Sequence, residues 1–289
     1  MKRILRWLLV IVVLASLLFV GLSWVYAQRL TRARPISIGE PPSDFPFPIE
    51  SVRFTSADQQ TLAGWLVPAK NSDRAIVLLH GYGGSRLQML PRARFLRELG
   101  YTVLLYDARA CGESSGEQIS FGYRERHDLI AAVQFLQERG HKSISCLGVS
   151  QGGATILFAA NELKGVKCVI CESVYDEMLH AVDRRMRHYT GVPGCLGACL
   201  MIPFAEQRLG LAIGDVRPVD HASSLTCPVF IISGDRDERT SPEDTQRLFD
   251  AVKQPKALWM IPDARHEDLF RFAGYEEKIQ EFLKQHLAD

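Results

Sequence analysis

Six short, continuous apolar runs constrain the fold of this 289-residue chain more than any other feature. They are AIVLLH (75–80), TVLLYD (102–107), SISCLGV (143–149), VKCVIC (166–171), PVFIIS (228–233) and ALWMIP (257–262). Strands that are buried on both faces of a parallel sheet have this continuous apolar character. The amphipathic segments between them, such as Tyr123 to Glu138 and Pro242 to Val252, predict helices. Alternating strands and helices predict an α/β fold with a mostly parallel sheet and helices on both faces.

Two further strands and one long insertion complete the predicted fold. Ser51 to Phe54 and Leu62 to Val67 flank the polar turn SADQQ, which predicts an antiparallel hairpin and an eight-stranded sheet in total. More than fifty residues without a clear strand then separate Ser173 from Pro228. Apolar side chains within that stretch recur on one predicted helical face, at Met178, Leu179, Val182, Met186 and Tyr189. Because α/β folds place lids after the carboxyl end of a strand, we expect a helical lid at about 174–226, after the sixth strand.

The composition narrows the class of protein. With 47% hydrophobic and 23% charged residues the chain is globular in composition, and its formal charge of +1 gives no field that would attract nucleic acid. The seven cysteines do not follow a zinc-ligand spacing, so no metal site is predicted. Cys195 and Cys199 form the one pair that we consider for a local disulfide, and an inert pair of thiols is the alternative.

The N-terminus predicts a membrane segment. Trp7 to Ala27 contains no charged residue, and about 20 apolar residues in a helix rise ~30 Å, enough to cross a bilayer. A cleaved signal peptide is the rival interpretation, because Val25-Tyr26-Ala27 ends in small residues, and a buried core helix is the third. The three cations before the segment are balanced by Arg29, Arg32 and Arg34 after it, so the orientation stays open.

The predicted domain organisation follows from this segment. We expect an anchor or signal peptide at 1–28, a proline-rich linker at 29–49 and one α/β domain at 50–289. If the segment is retained, the protein is a single-pass membrane protein; if it is cleaved, the protein is exported.

The stretch LGVSQGGA (147–154) places a serine between glycines at the junction of a predicted strand and a predicted helix. This is the context of the G-x-S-x-G nucleophile elbow, in which a tight turn exposes the serine Oγ above the sheet. Side chains at positions 148 and 152 would collide in such a turn, which explains the glycines there. Ser150 is therefore a candidate nucleophile, and an ordinary glycine-rich turn is the alternative.

A serine nucleophile needs a base and an acid that orients the base. Candidates for both roles follow predicted strands that come later in the chain. His266 lies in the loop after the last predicted strand, and Asp235 and Asp237 lie just beyond the strand before it. Glu172, at the end of VKCVIC, is a further possible acid. The order serine, acid, histidine is the one expected for this elbow architecture.

Four segments resemble the α/β-hydrolase family, across roughly residues 50–289: HGYGGS (80–85), DARACGESSG (107–116), GVSQG (148–152) and GDRDERTSP followed by a histidine. The resemblance implies that Asp237, in a G-x-x-D pattern, orients His266. It also implies an oxyanion hole made by the backbone N–H groups of Tyr82 and Gln151, with no metal or organic cofactor. The second segment departs from the family pattern at Ala110, where glycine is usual.

These observations predict a serine hydrolase that cleaves carboxylic ester or thioester bonds through an acyl-enzyme. The apolar strip CLGACLMIPF in the lid, next to a membrane segment, suggests a lipid-like acyl substrate. The cationic cluster of Arg184, Arg185, Arg187 and His188 either meets an anionic substrate or headgroup or is a solvated helix face. A serine peptidase of the same fold and a non-catalytic, membrane-tethered binding domain are the alternatives.

Overall fold

A computed structural model describes residues 2–70 and 72–287, and its centre is one eight-stranded sheet. Its strands, in chain order, are β1 (Glu50–Thr55), β2 (Thr61–Val67), β3 (Arg74–Leu79), β4 (Thr102–Tyr106), β5 (Ser143–Val149), β6 (Val166–Glu172), β7 (Val229–Gly234) and β8 (Lys256–Ile261). They lie side by side in the order β8-β7-β6-β5-β3-β4-β2-β1. Only β2 runs antiparallel to its neighbours β1 and β4. The prediction of a mostly parallel eight-stranded sheet is confirmed.

Ten α-helices surround or precede this sheet in the part of the chain that the structure describes. They are α1 (Lys2–Thr31), α2 (Leu90–Glu98), α3 (Arg126–Glu138), α4 (Gln151–Phe158), α5 (Met178–Thr190), α6 (Gly194–Gly197), α7 (Met201–Leu209), α8 (Pro218–Ala222), α9 (Pro242–Ala251) and α10 (Tyr275–His286). Buried side chains of α2 and α10 join one apolar core, and those of α3, α4 and α9 join the other. Helices therefore cover both faces, as predicted.

The continuous apolar runs have a direct structural explanation. In β3, Ala75, Val77 and Leu79 enter one core, whereas Ile76 and Leu78 enter the other. Successive side chains of a strand point to opposite faces, so a strand that is covered on both sides needs an apolar residue at every position.

The structure describes every residue between β6 and β7. This interval contains four α-helices, α5 to α8, and no strand. The apolar face expected for α5 is only partly correct, because Met178 is buried whereas Leu179 is 42% and Tyr189 is 68% exposed. The stripe that turns toward the sheet is instead Met178, Ala181 and Arg185, spaced three and four residues apart.

The N-terminal helix is longer than the apolar segment and its end is docked on the domain. Apart from the buried stripe Ser23, Ala27 and Thr31, its side chains are almost all exposed. This stripe recurs every four residues, so it lies on one face, where α1 packs against α7. The last three residues of the helix therefore belong to the stretch that we predicted as linker.

The rest of the predicted linker also lies on the domain. Arg34 and Pro35 pair in parallel with Cys111 and Gly112, and the Arg97 guanidinium stands 4.7 Å from the Phe47 ring centroid. Proline-rich composition predicts an extended chain, but it does not predict whether neighbouring aromatic side chains hold that chain against a surface. The boundaries at 28 and 49 stay predictions, and Met1 and positions 288–289 lie outside the described residues.

Candidate active site

Ser150 occupies the turn between β5 and α4 with a strained backbone. Its φ of 53° and ψ of −112° lie outside the regions that L-residues prefer. A Cβ at Gly152 would stand 2.5 Å from the carbonyl oxygen of Leu79 on β3, and one at Gly148 would collide with the backbone of Gly152. The glycines are therefore required because the start of α4 lies directly against β3 and β5.

His266 joins the serine to a carboxylate. Its Nε2 lies 3.0 Å from Ser150 Oγ, and its Nδ1 lies 2.8 Å from Asp237 Oδ2 and 3.0 Å from Oδ1. Because an ionised carboxylate only accepts hydrogen bonds, Nδ1 carries the proton and Nε2 is free to accept one from the serine. The side chain of His266 is only 6% exposed and that of Asp237 is fully buried, so water competes little for these bonds.

The three candidate acids have separate environments. Asp237 also accepts backbone hydrogen bonds from Arg239 at 2.8 Å and from Thr240 at 2.9 Å, which orient its carboxylate. Asp235 is exposed and accepts a bond from the backbone of Asp263 at 2.7 Å instead. Of the two aspartates, the structure therefore brings only Asp237 to the histidine.

Glu172 is engaged elsewhere. Its carboxylate pairs with the Arg92 guanidinium, at 2.5 Å from Nη2, and accepts a hydrogen bond from Tyr275 Oη. Burial raises the pKa of Tyr275 well above its usual value. The backbone carbonyl of Glu172 still accepts from the Ser150 N–H at 2.7 Å, so this network borders the elbow without touching His266.

The loop after β3 is held by a histidine that we did not single out. His80 is buried, its Nε2 accepts from the backbone N–H of Ala108 at 3.0 Å, and its Nδ1 lies 2.7 Å from the carbonyl of Gly81. Nδ1 must therefore carry the proton and donate it. Burial lowers the pKa of His80, which keeps the ring neutral in this role.

Both predicted oxyanion-hole residues lie beside the serine. Tyr82 and Gln151 line the same cavity as Ser150, with Tyr82 in the loop after β3 and Gln151 as the first residue of α4. An N–H group in the first turn of a helix has no partner within the helix, which makes it available to a ligand. Their role as oxyanion donors stays a prediction.

The Tyr82 side chain connects this loop to the N-terminal helix. Its hydroxyl donates to the carbonyl of Leu30 at 2.6 Å and accepts from Arg34 Nη2 at 2.9 Å. Its ring stacks on Phe121 with 5.6 Å between the centroids. Nothing in the local sequence around Tyr82 indicates the hydrogen bonds of its hydroxyl, because Leu30 and Arg34 lie about fifty positions earlier in the chain.

The loop DARACGESSG departs from the family pattern at Ala110, and its backbone there has a conformation that glycine favours. Ala110, where the family usually has glycine, has a φ of 60°, in the left-handed region that glycine adopts most readily. Asp107 accepts from the backbone N–H of Arg86 and pairs with its guanidinium, both at 2.7 Å. The loop therefore supports the site as a structural element.

A cavity of about 290 Å³ opens above the triad. Its lining combines apolar residues, Met89 and Phe270 among them, with the arginines Arg92, Arg185 and Arg239. A second small cavity, beneath α5, shares Ser150, His266, Arg185 and Arg239 with it. The site therefore offers an apolar surface and positive charge to the same ligand.

One group of side chains has the spacing of metal ligands. Asp176, His180 and Asp244 place ligand atoms within 4.8 Å of one another. Arg247 Nε lies 2.6 Å from Asp176 Oδ2, and both Arg247 and Arg184 bind Asp244, so arginines already neutralise the carboxylates. Burial raises the pKa of Asp176, but hydrogen bonds from Arg247 and His180 outweigh it and leave a lowered pKa. The group is an ion-pair network between α5 and α9.

Known protein families match both halves of the domain. A profile described as the alpha/beta hydrolase fold matches residues 74–192, which include Ser150. A second, described as PhoPQ-activated pathogenicity-related protein, matches residues 211–289, which include Asp237 and His266.

Individual relatives cover most of the chain. YfhR of Escherichia coli strain K12, named as an uncharacterized protein, is 26% identical over 251 residues, which cover 82% of this chain and 81% of YfhR. The polyketide transferase grgF of a Penicillium species is 27% identical over 292 residues, covering 83% of this chain and 98% of its own.

Solved structures agree with the fold. An esterase of Pyrococcus furiosus, PF2001, superposes with a TM-score of 0.75 at 27% identity, covering 89% of this chain and 99% of the esterase. The Penicillium alpha/beta hydrolase GrgF superposes with a TM-score of 0.67 at 25% identity, covering 84% of this chain and all (100%) of its own.

Proposed function

The chain belongs to the α/β-hydrolase family and is a hydrolase, and from this premise we propose that it is a serine hydrolase that cleaves carboxylic ester or thioester bonds. The observation that carries the proposal is the hydrogen-bonded series Ser150 Oγ, His266 Nε2 and Nδ1, and Asp237 Oδ2, with separations of 3.0 and 2.8 Å. Nucleophile and base within hydrogen-bond reach, with the base oriented by a third group, are the arrangement that activates a serine.

The first half-reaction forms an acyl-enzyme. Ser150 Oγ attacks the carbonyl carbon of the substrate while His266 Nε2 takes its proton, and the carbonyl oxygen becomes an oxyanion. The backbone N–H groups of Tyr82 and Gln151 stabilise that charge, a contribution typically worth about 10²- to 10³-fold in rate for each donor. The bond to the leaving group then breaks, and His266 gives its proton to the departing alkoxide or thiolate.

The second half-reaction releases the acid. A water molecule loses a proton to His266 Nε2 and attacks the acyl carbon, and the protonated histidine then returns the proton to Ser150 Oγ as the acyl bond breaks. One water is consumed, and one carboxylic acid and one alcohol or thiol are produced. Asp237 stabilises the imidazolium in both halves and holds Nδ1 as the protonated nitrogen.

The substrate carries an acyl group that is at least partly apolar. The apolar part of the cavity wall, with Met89 and Phe270, supports this assignment. The similarity to an esterase also supports ester cleavage. Because grgF is named as a polyketide transferase, transfer of the acyl group to an acceptor other than water is the variant reaction for this chain.

The N-terminal helix is, in this proposal, a retained membrane anchor. Cleavage after Ala27 would remove Ser23 and Ala27 from the stripe that packs against α7. A signal peptide has no reason to pack on the mature domain, because it is removed before that domain works. The uncharged stretch before the stripe is long enough to span a bilayer.

Labelling with a fluorophosphonate probe tests the proposed function. We expect full-length wild type to be labelled, Ser150→Ala to lose the label and His266→Ala to react far more slowly, because the serine is activated only next to its base. Ser223→Ala is the matched control, because Ser223 is exposed at the end of α8. We expect this variant to be labelled as strongly as wild type, since Ser150 is still present. A folded wild type that fails to label, or a Ser150→Ala variant that labels fully, would refute the proposal.

A further inference from the structure

One cationic side chain in the cavity has no role in the proposed reaction. Arg185 lies on α5 in the stripe with Met178 and Ala181, which faces the sheet. Its side chain borders both cavities, together with Ser150 and His266. Residues spaced three and four apart share a helix face, so the position of Arg185 over the site follows from the packing of α5.

The neighbouring arginines of the same cluster are accounted for. Arg184 binds Asp244 on α9, and Arg187 Nε lies 2.7 Å from Asp183, one turn earlier on the exposed side of α5. No carboxylate within residues 2–70 and 72–287 lies at salt-bridge distance from Arg185. The three arginines of the cluster therefore divide into two that form ion pairs and one, Arg185, that faces the site.

The other cavity cations are paired as well. Arg92 is bound to Glu172, and Arg239 Nη1 lies 2.6 Å from Glu267. Within the described chain, Arg185 is thus the cavity arginine without an acidic partner. Burial, and next the positive charge of Arg239, lower the pKa of Arg185, so its charge is held at a cost. Arg185 is half-buried, and partly desolvating a cation that has no partner is unfavourable, so an anionic ligand would reduce this cost.

We propose that Arg185 recognises an anionic group, a carboxylate or a phosphate, on the ester or thioester that Ser150 attacks. The inference rests on the proposed function, and it defines the substrate class as acyl esters that carry a negative charge. The planar guanidinium can donate two parallel hydrogen bonds to such a group. The apolar wall near Met89 and Phe270 then receives the hydrocarbon part of the same molecule.

Two sources of that charge fit the same contact. One is a soluble ester with a free carboxylate or phosphate, and the other is the headgroup of an anionic phospholipid. The phospholipid source is considered because α1 is the proposed membrane anchor and packs against α7. Helix α7 belongs to the same insertion as α5, which carries Arg185. The experiments below separate the two sources.

A matched pair of chromogenic esters tests the charge preference. Full-length protein in a neutral detergent is assayed with mono(4-nitrophenyl) glutarate and with its methyl ester, which differ only in the terminal charge. We expect wild type to favour the charged ester in kcat/KM by about 10- to 100-fold, as is typical of a hydrogen bond to a charged group. Arg185→Gln should lose this preference through a higher KM for the charged ester, so that its kcat/KM values for the two esters become similar.

Two further variants control for charge and folding. Arg185→Lys should keep part of the preference, because it retains the charge but not the two-pronged geometry. Arg187→Gln should keep all of it, since Arg187 is exposed on the opposite side of α5. Equal loss on both esters in Arg185→Gln, or no preference in wild type, would overturn the proposal.

A binding measurement separates this inference from the proposed function. Calorimetry with the Ser150→Ala protein reports binding of both esters without turnover. If Ser150→Ala binds the charged ester more tightly than the neutral one, and the double variant Ser150→Ala, Arg185→Gln does not, the anion site is supported. This holds even if wild type hydrolyses neither ester. Equal binding of both esters by Ser150→Ala refutes the anion site, whatever the result of the labelling experiment.

Lipid vesicles then distinguish the two sources. Full-length protein is reconstituted into vesicles of phosphatidylglycerol or phosphatidylcholine, and released fatty acid is measured for wild type and Arg185→Gln. Release from phosphatidylglycerol that depends on Arg185 supports the anion site with a headgroup as the source. A preference for the charged glutarate ester without such release supports the anion site with a soluble ester as the source.

Discussion

At the scale of single residues, the site is decided by which of several similar side chains reaches the histidine. Asp235 and Asp237 lie two positions apart after the same strand, yet one is exposed and the other is buried against His266. Alternate residues that leave a strand differ in direction and in the backbone groups they meet, so proximity in sequence does not make them equivalent. The two backbone N–H bonds to Asp237 are the structural sign of an orienting acid.

Replacing these two aspartates separates their roles. Asp237→Asn should keep the fold but lower kcat by about 10³- to 10⁴-fold, because an amide no longer holds the proton on His266 Nδ1. Asp235→Asn should change kcat by less than about threefold, since among the described residues the hydrogen bond to that carboxylate comes from the backbone of Asp263 and none comes from His266. Steady-state ester hydrolysis, with circular dichroism as a check on folding, gives the comparison. Similar losses in both variants would contradict the assignment.

At the scale of elements, the elbow depends on how closely α4 approaches the sheet. The glycines at 148 and 152 remove side chains where the helix meets the backbones of β3 and β5. This close approach puts Gln151 at the start of the helix and Ser150 above the strand ends. The strained backbone of Ser150 persists because the surrounding elements are packed too tightly for it to relax.

Adding one methyl group tests this packing. Gly152→Ala should lower the free energy of unfolding by about 1–3 kcal/mol or more, because the Cβ would meet the backbone of Leu79 at 2.5 Å. Gly214→Ala is the control, since a Cβ there meets nothing within 4 Å. Thermal unfolding followed by tryptophan fluorescence should show a melting temperature at least about 2–4 °C lower for the first variant only. An unchanged melting temperature in Gly152→Ala would contradict the steric account.

At the scale of the whole molecule, the N-terminal helix and the active site are connected through one side chain. Tyr82 belongs to the loop that we expect to supply an oxyanion donor, and its hydroxyl binds the end of α1 and Arg34. The buried stripe of α1, which packs against α7, provides a second contact, between the N-terminal helix and the insertion. The N-terminal helix is therefore seated on the α/β domain beside the candidate site.

Removing the Tyr82 hydroxyl tests the connection. Tyr82→Phe keeps the ring on Phe121 but loses the bonds to Leu30 and Arg34, so we expect kcat/KM to fall by about 2- to 10-fold, the range of one or two hydrogen bonds. The segment at 32–49 should also become more sensitive to limited proteolysis. Tyr189→Phe, at an exposed tyrosine of α5, should change neither property. Unchanged activity and proteolysis in Tyr82→Phe would show that the contact is not needed.

The sequence alone determined the features that depend on local patterns. The sheet strands lie within about one residue of the predicted runs, because burial on both faces demands an apolar residue at each position. The elbow at Ser150 was also recognisable from the sequence, because the steric demands of a tight turn act over a few neighbouring residues. Ser150, Asp237 and His266 each come after a predicted strand, and their expected proximity followed from strand ends that meet at one edge of the sheet.

Only the tertiary structure decided the contacts between segments far apart in the chain. The separation of Arg185 from Arg184 and Arg187, the pairing of Glu172 with Arg92, and the bond from Tyr82 to Leu30 depend on how whole elements pack. A charged residue on an amphipathic helix has the same local pattern whether it faces water, an acid or a cavity. Its environment is set by the element that lies opposite, and that element is specified elsewhere in the sequence.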